Sequence, residues 1–438
     1  MRRILLAVFL IATCGLACHA AAASPPEAVR ASVRSEPTAT YDGRAADAAW
    51  RQAARARIER HRKADLVVAV TGADGKPVSG AEVTVAMQRH AFGFGSAVAA
   101  DRILADGRDG DEYRKVIREC FSKVVFENDL KWPSWEHKER CARTLKALDW
   151  LQAQSVAVRG HCLVWPSWKH MPRDLGRLKD DPPALRRRIA THVREEVSVL
   201  KGRIADWDVI NEPLWNHDAM DVLGKGVMVE WYKIARQADP AAVLYLNDQN
   251  ILASGGTDRR HQEHYEGTVR FLRKEGAPLG GLGMQCHFGE NLTPPARLIK
   301  LLDRFAEFGL PIQVTEFDIH TKDRRLQADY LRDFMTAIFS HPRVEAILMW
   351  GFWAGRHWRP EAALYDRDWT LRPHGEAWRD LVLKEWWTRA SGRADARGRL
   401  EMRGFFGTYE ITVAAGDKTR AVTATLAKDG QTVTVRLD

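Results

Sequence analysis

The chain has 438 residues, 45% of them hydrophobic and 28% charged, with a formal net charge of +9. This is ordinary globular composition, long enough for one large domain or two to three smaller ones, and it excludes a fibrous or low-complexity protein. Beyond the N-terminus four cysteines are too few for a disulfide scaffold, the arginines are scattered rather than clustered with aromatics as a nucleic-acid surface requires, and no stretch is apolar for long enough to span a bilayer.

Residues 1–23 carry Arg2 and Arg3, an apolar run over 4–11 and small residues ending in Ala21-Ala22-Ala23, the layout of a secretory signal peptide. A secreted or periplasmic protein is expected, and cleavage takes the formal charge from +9 to +7. Cys14 and Cys18 sit where a lipoprotein cysteine stands, but the residues before them fit an acylation signal imperfectly. The span 24–62 reads as a polar leader to about Thr40 followed by a helix over 45–62, with Trp50 and Ile58 on one face. In 63–89 the alternation of Leu66, Val68 and Val70, the turn Asp74-Gly75-Lys76-Pro77, and the alternation of Val83 and Val85 predict a β-hairpin.

From residue 90 to 390 short apolar runs alternate with helical stretches. The runs are 92–98, 123–127, 157–165, 204–211, 242–247, 282–287, 312–317 and 344–353, and helices are predicted over 184–200, 265–275, 296–308, 326–339 and 377–389. Short unidirectional crossovers demand parallel pairing, and eight such units predict an α/β protein with a closed (β/α)8 barrel. After a break at Ser391-Gly392, residues 393–438 return to period two, as in Tyr409, Ile411 and Val413. An isolated hairpin is marginal in water, so both chain ends are expected to join in one small antiparallel β-sandwich beside the barrel.

Polar residues fall where the barrel strands end, and in this fold those ends open onto one face. The second strand ends in Glu127-Asn128 with Lys131 close behind, the third carries His161 and Trp165, the fourth Asn211 and Glu212, the fifth Asn247 and Asn250. Gln285 and His287 end the sixth, Glu316 and Asp318 the seventh, and Trp350 and Trp353 the eighth. Pro213 has no backbone donor to prolong a ladder and so stops its strand at Glu212. Two strand-end glutamates, Glu212 and Glu316, across one cleft suggest glycoside hydrolysis. Neighbours in a strand point to opposite faces, so His161-Cys162 and Cys286-His287 do not converge on a metal, and no metal or cofactor is expected.

The motifs Gly160-His161-Cys162-Leu163-Val164-Trp165, Trp207-Asp208-Val209-Ile210-Asn211-Glu212-Pro213, Asn247-Asp248-Gln249-Asn250, Gly283-Met284-Gln285-Cys286-His287 and Val314-Thr315-Glu316-Phe317-Asp318 resemble, in this order, glycoside hydrolase family 10, the endo-β-1,4-xylanases. The resemblance covers roughly residues 90–385. It implies that Glu212 is the general acid/base and Glu316 the nucleophile of a retaining double displacement, with carboxyl groups about 5 Å apart. It implies that His287 and Asp318 keep Glu316 ionised, and that Asn211 bonds a sugar 2-hydroxyl. Glu127, Asn128, Lys131, His161 and Gln285 would hold sugar hydroxyls, with Trp165, Trp350 and Trp358 against sugar faces. The partner implied is a polysaccharide, xylan, acted on by a monomer with no nucleic acid and no transmembrane segment.

Two departures bear on the substrate. Where the family usually continues His-Ser-Gln after the third-strand tryptophan, this chain has Pro166-Ser167-Trp168, and the rim after Trp350 reads Phe352-Trp353-Ala354-Gly355-Arg356-His357-Trp358. Arg356, His357 and Arg359 read as solvated charges or as contacts to uronic-acid decorations. The alternatives are a retaining hydrolase of another β-linked glycan and a non-catalytic carbohydrate-binding barrel.

Overall fold

A computed structural model describes residues 40–438. The expected signal peptide and most of the leader, residues 1–39, lie outside the described residues.

A helix, Ala49–Arg62, precedes β1 (Lys63–Gly72) and β2 (Glu82–His90). The barrel follows: β3 (Gly93–Val98), β4 (Lys123–Phe126), β5 (Ala157–Gly160), β6 (Asp206–Asn211), β7 (Val243–Asp248), β8 (Gly281–Met284) with its short continuation β9 (His287–Phe288), β10 (Ile312–Ile319) and β11 (Val344–Met349). Each neighbouring pair is parallel, and β11 closes the ring by pairing with both β10 and β3. Every residue of β6 and β10 is buried, as expected of strands covered by helices outside and by one another's side chains inside. The eight-stranded barrel inferred from alternating runs and helices is therefore the fold. The run 282–287 is divided at Gln285-Cys286, and the long third run 157–165 is a strand only to Gly160, with Val164 returning as an isolated bridge to Ile210.

The chain ends build two further sheets from β12 (Arg389–Arg393), β13 (Arg399–Phe405), β14 (Gly407–Ala415), β15 (Lys418–Leu426) and β16 (Gln431–Leu437). Their orders are β13-β1-β16 and β12-β2-β14-β15. Pairing of the two chain ends, proposed because a hairpin alone is marginal, is what occurs. Three details differ. The predicted hairpin over 63–89 does not form, because β1 and β2 lie in different sheets: their apolar faces, Leu66, Val68 and Val70 on one and Val83, Val85 and Met87 on the other, are buried by separate sheets. The module is not wholly antiparallel, since β1 and β16 run parallel. The helix expected over 377–389 ends at Glu385, and Ser391-Gly392 lies inside β12, a strand that hydrogen bonds to β2 without presenting an apolar face.

Below the cleft the barrel holds a buried cluster of charged side chains. Arg159, fully buried, donates to Asp208 Oδ2 at 3.2 Å, Asp206 Oδ1 at 3.1 Å and Gln313 Oε1 at 2.8 Å, and its guanidinium lies 4.4 Å from the Tyr245 ring centroid. Lys123 also bonds Asp206. Gly283 makes room for this group, because a Cβ there would stand 2.5 Å from Asn247 Oδ1 and 3.0 Å from Arg159. Taking Arg159 away removes the buried cation shared by Asp206 and Asp208, leaving Lys123 and His161 as their remaining partners, so Arg159→Leu is expected to lower unfolding free energy by about 3–5 kcal/mol, read as a fall in the urea midpoint.

Candidate active site

Glu212 stands just past the end of β6 with φ of 53°, a left-handed conformation uncommon for a side-chain-bearing residue and frequent at functional positions. Its backbone N–H donates to Asn247 O at 2.9 Å, and its carbonyl accepts from Asn216 N at 3.1 Å. These bonds fix the turn that turns the carboxyl into the barrel mouth. Gln285 Nε2 donates to Glu212 Oε1 at 2.7 Å, and Asn216 Nδ2 to Oε2 at 3.2 Å. Burial, together with the nearby charges of Glu316 and Asp248, raises the Glu212 pKa against the opposing bond from Gln285. A carboxyl so placed keeps its proton longer than an exposed glutamate.

Glu316, in the middle of β10, is treated in the opposite way. Its Oε1 accepts from Asn247 Nδ2 at 2.9 Å, its Oε2 lies 3.0 Å from His287 Nε2, and His161 Nδ1 is 4.0 Å from Oε1. Burial alone would raise its pKa, but the His287 bond and the charges of His161, His287 and Lys131 outweigh burial and lower it. Two glutamates in one cleft thus have pKa values pushed apart, the arrangement that separates a proton donor from an anion.

His287 lies between two carboxylates, with Nε2 on Glu316 and Nδ1 3.0 Å from Asp318 Oδ2, the latter contact off line for a straight hydrogen bond. Burial disfavours its charge, but Asp318 and Glu316 prevail and raise its pKa to about 9. The charged imidazole therefore stabilises the fold fully below pH 6.5, and that contribution, at most about 3 kcal/mol, is lost as pH rises through about 9. Melting temperature should fall between pH 6.5 and 9, and His287→Gln should flatten that slope; an unchanged slope would remove the charge from His287.

The remaining predicted residues divide into those converging on the glutamates and those along the rim. Asn211 is fully buried; its Oδ1 accepts from Asn247 Nδ2 at 2.9 Å, while its own Nδ2 has no protein partner and is left for a ligand. His161 is held by Asp208 Oδ2 at 3.0 Å. Trp350, 7% exposed, is floor rather than platform, edge-on to His161 at 5.2 Å and His287 at 6.2 Å. Lys131 Nζ bonds Asn128 Oδ1 at 2.9 Å and lies 5.2 Å from the Trp165 ring, which stacks on His170 at 3.6 Å. Trp358 is 48% exposed and donates through Nε1 to Asp318 Oδ2 at 2.7 Å, so it presents a face while bracing the acid behind His287. Asn250, with φ of 57°, accepts from Ser254 Oγ at 3.3 Å and shapes its loop.

Of the charges after Trp350, read as solvated or as contacts to uronic acids, Arg356 and Arg359 are partly exposed and also pair with carboxylates. Arg359 bonds Asp318 Oδ1 at 3.2 Å and lies 4.1 Å from the Trp358 ring, His357 is half-buried against Gly351, and Arg356 stands 3.6 Å from Glu127 Oε2. The four described cysteines are unpaired.

Sequence reasoning undervalued Asn247, which bonds both Asn211 and Glu316 and is itself held by Thr315 Oγ1 at 2.8 Å. It also missed Asp208. The signal was present: Asp206 and Asp208 are two apart in a fully buried strand, so both must face inward and find cations.

The profile of glycosyl hydrolase family 10 matches residues 83–380, most of the chain and all eight barrel strands. The chain belongs to that family. Among curated relatives it is 34% identical over 375 residues to anti-sigma-I factor RsgI6 of Acetivibrio thermocellus, covering 84% of this chain and 47% of that protein. It is 29% identical over 358 residues to endo-1,4-beta-xylanase 1 of Arabidopsis thaliana, covering 81% of this chain and 37% of that one. The family member thus spans less than half the length of either. Native xylanase 10B from Thermotoga maritima superposes with a TM-score of 0.61 at 25% identity, over 67% of this chain and 96% of the other.

Proposed function

We propose that this family 10 protein is a retaining glycoside hydrolase that cleaves internal β-1,4-xylosidic bonds of xylan, with Glu212 as acid/base and Glu316 as nucleophile. The single observation that carries the reading is the opposed environment of the two glutamates, one pushed towards its protonated form by burial and the other held anionic by His287.

In the first step Glu316 attacks the anomeric carbon while Glu212 gives its proton to the departing oxygen, and a covalent glycosyl-enzyme forms. In the second, Glu212, now a carboxylate, takes a proton from water, which attacks the same carbon and releases Glu316. Asn211 Nδ2 meets the 2-hydroxyl beside the cleaved bond, and Asn247 and His287 hold Glu316 on line. Glu127, Asn128, Lys131, His161 and Gln285 bind sugar hydroxyls, and Trp165 and Trp358 offer faces. The protein works as a monomer and needs no cofactor. Export follows from Arg2-Arg3, the apolar run over 4–11 and Ala21-Ala22-Ala23.

Release of reducing ends from arabinoxylan, glucuronoxylan and carboxymethylcellulose tests the substrate. Cleavage of the xylans alone is expected; cleavage of cellulose alone would transfer the reading to another β-glycan. The regulator's name of one relative keeps a binding-only barrel in view. Retention of Glu212, Glu316, His287 and Asp318 in their opposed environments speaks for turnover, because mere binding has no use for such a separation. Binding of xylan without any release of reducing ends would favour the binding-only barrel.

A further inference from the structure

Beyond Glu212 the chain turns through Pro213 and Leu214 and presents Trp215, 51% exposed. The Arg260 guanidinium lies 4.5 Å from its ring centroid, and the His261 ring meets it edge-on at 5.8 Å. Directly outside this turn is a pocket of about 400 Å³ whose lining includes Pro213, His217, Asp221, Lys225, Arg260 and His264. Its charge is unbalanced. Asp221, the one carboxylate in the lining, is taken by His217 Nδ1 at 2.8 Å, whereas Lys225 lies 4.7 Å over the Phe271 ring and, like Arg260, has no ion-pair partner among the described residues. His264 Nδ1 is buried there without a hydrogen-bond partner. Burial and then the positive neighbours Lys225, His261, His217 and Arg260 lower the His264 pKa, so a further positive charge on this wall is disfavoured.

Two unpaired cations and an unpartnered imidazole around a half-enclosed space suit a carboxylate, which a guanidinium can grip with two bonds and an ammonium with one. The place matters as much as the charge. Groups at the ends of β4 and β5 and the loop after β11 flank the glutamates on one side, whereas Trp215 and the helix Arg259–Lys274 flank them on the β6–β7 side. A chain held at β4 and β5 by the hydroxyl-binding side chains proposed above and lying across the mouth therefore passes Trp215 on its other side.

We propose that this pocket receives the carboxylate of a uronic-acid side group carried by the part of the glycan on the β6–β7 side of the glutamates, with Trp215 under a sugar ring and Lys225 and Arg260 on the carboxylate. The inference rests on the hydrolase reading above and names a decorated acidic xylan as its substrate class.

The test compares kcat/KM on glucuronoxylan with that on the same polymer after chemical reduction of its carboxyl groups, for the full chain and for Lys225→Met, Arg260→Met and the double variant. The expected wild-type preference for the acidic polymer is about tenfold, shrinking with added salt. Each single variant should lower the preference and the double variant bring it to parity at an unchanged melting temperature. Trp215→Ala should instead weaken both polymers alike. Cleavage of the reduced polymer with no wild-type preference, or a preference that survives in the double variant, would overturn the inference alone. Failure of the wild type on both polymers would remove the hydrolase reading and this inference with it.

Discussion

Replacement of Glu316 by alanine is expected to lower kcat on xylan by about five orders of magnitude, or roughly 7 kcal/mol of barrier, because the nucleophile of a double displacement has no understudy. Water cannot take its place at the anomeric carbon without a base on the same face, and His287, charged and ion-paired with Asp318, is not one. The deleted carboxylate leaves a space lined by Asn247 Nδ2 and His287 Nε2, two donors that held an anion. Added azide should bind there and attack an activated aryl xylobioside, giving a glycosyl azide of inverted configuration. Mass spectrometry and NMR of the product check both points. Residual activity within tenfold of wild type would take the nucleophile away from Glu316.

Replacement of Glu212 by alanine should divide substrates by leaving group. On xylan, whose departing oxygen needs a proton, kcat/KM is expected to fall by about 10³-fold, within the range of general acid catalysis. On a dinitrophenyl xylobioside, whose leaving group departs as a stable anion, the first step should run at nearly the wild-type rate. The glycosyl-enzyme should then accumulate, seen as a burst of phenolate followed by slow turnover. The raised pKa of Glu212 should set the alkaline limb of the wild-type pH profile above the ordinary glutamate range, and the lowered pKa of Glu316 should set the acid limb below it. The alkaline limb should vanish in the variant, and its persistence would assign that limb to another group.

The barrel and the place of its chemistry were legible because both follow from local patterns. Apolar runs of strand length alternating with helices leave little choice but parallel closure, and Asn211-Glu212-Pro213 announces a strand end in its own residues. What was not legible depends on which face meets which. Alternation along β1 and β2 requires one buried side for each strand but does not say whether the two share a sheet, and here they oppose each other in two. β12 escaped because five alternately half-exposed and exposed residues carry no apolar period; its hydrogen bonds to β2 make it a strand. The double role of Trp358, ring towards the cleft and Nε1 on Asp318, joins residues 40 apart in the chain. Neither spacing nor propensity encodes such a contact. The charged floor is the instructive middle case, since Asp206 and Asp208 required inward cations, but only the fold identifies Arg159 as the common partner.

The most direct measurement is a trapping experiment on the full chain. A 2-deoxy-2-fluoro xylobioside with a dinitrophenyl leaving group slows both steps but, because its aglycone is reactive, slows the second more, so the glycosyl-enzyme should persist. Intact mass should rise by one fluoro-xylobiosyl unit, and proteolysis should place the label on the peptide containing Glu316. Steady turnover of natural xylan with no trapped adduct, or a label on any other carboxylate, would contradict a retaining mechanism through Glu316.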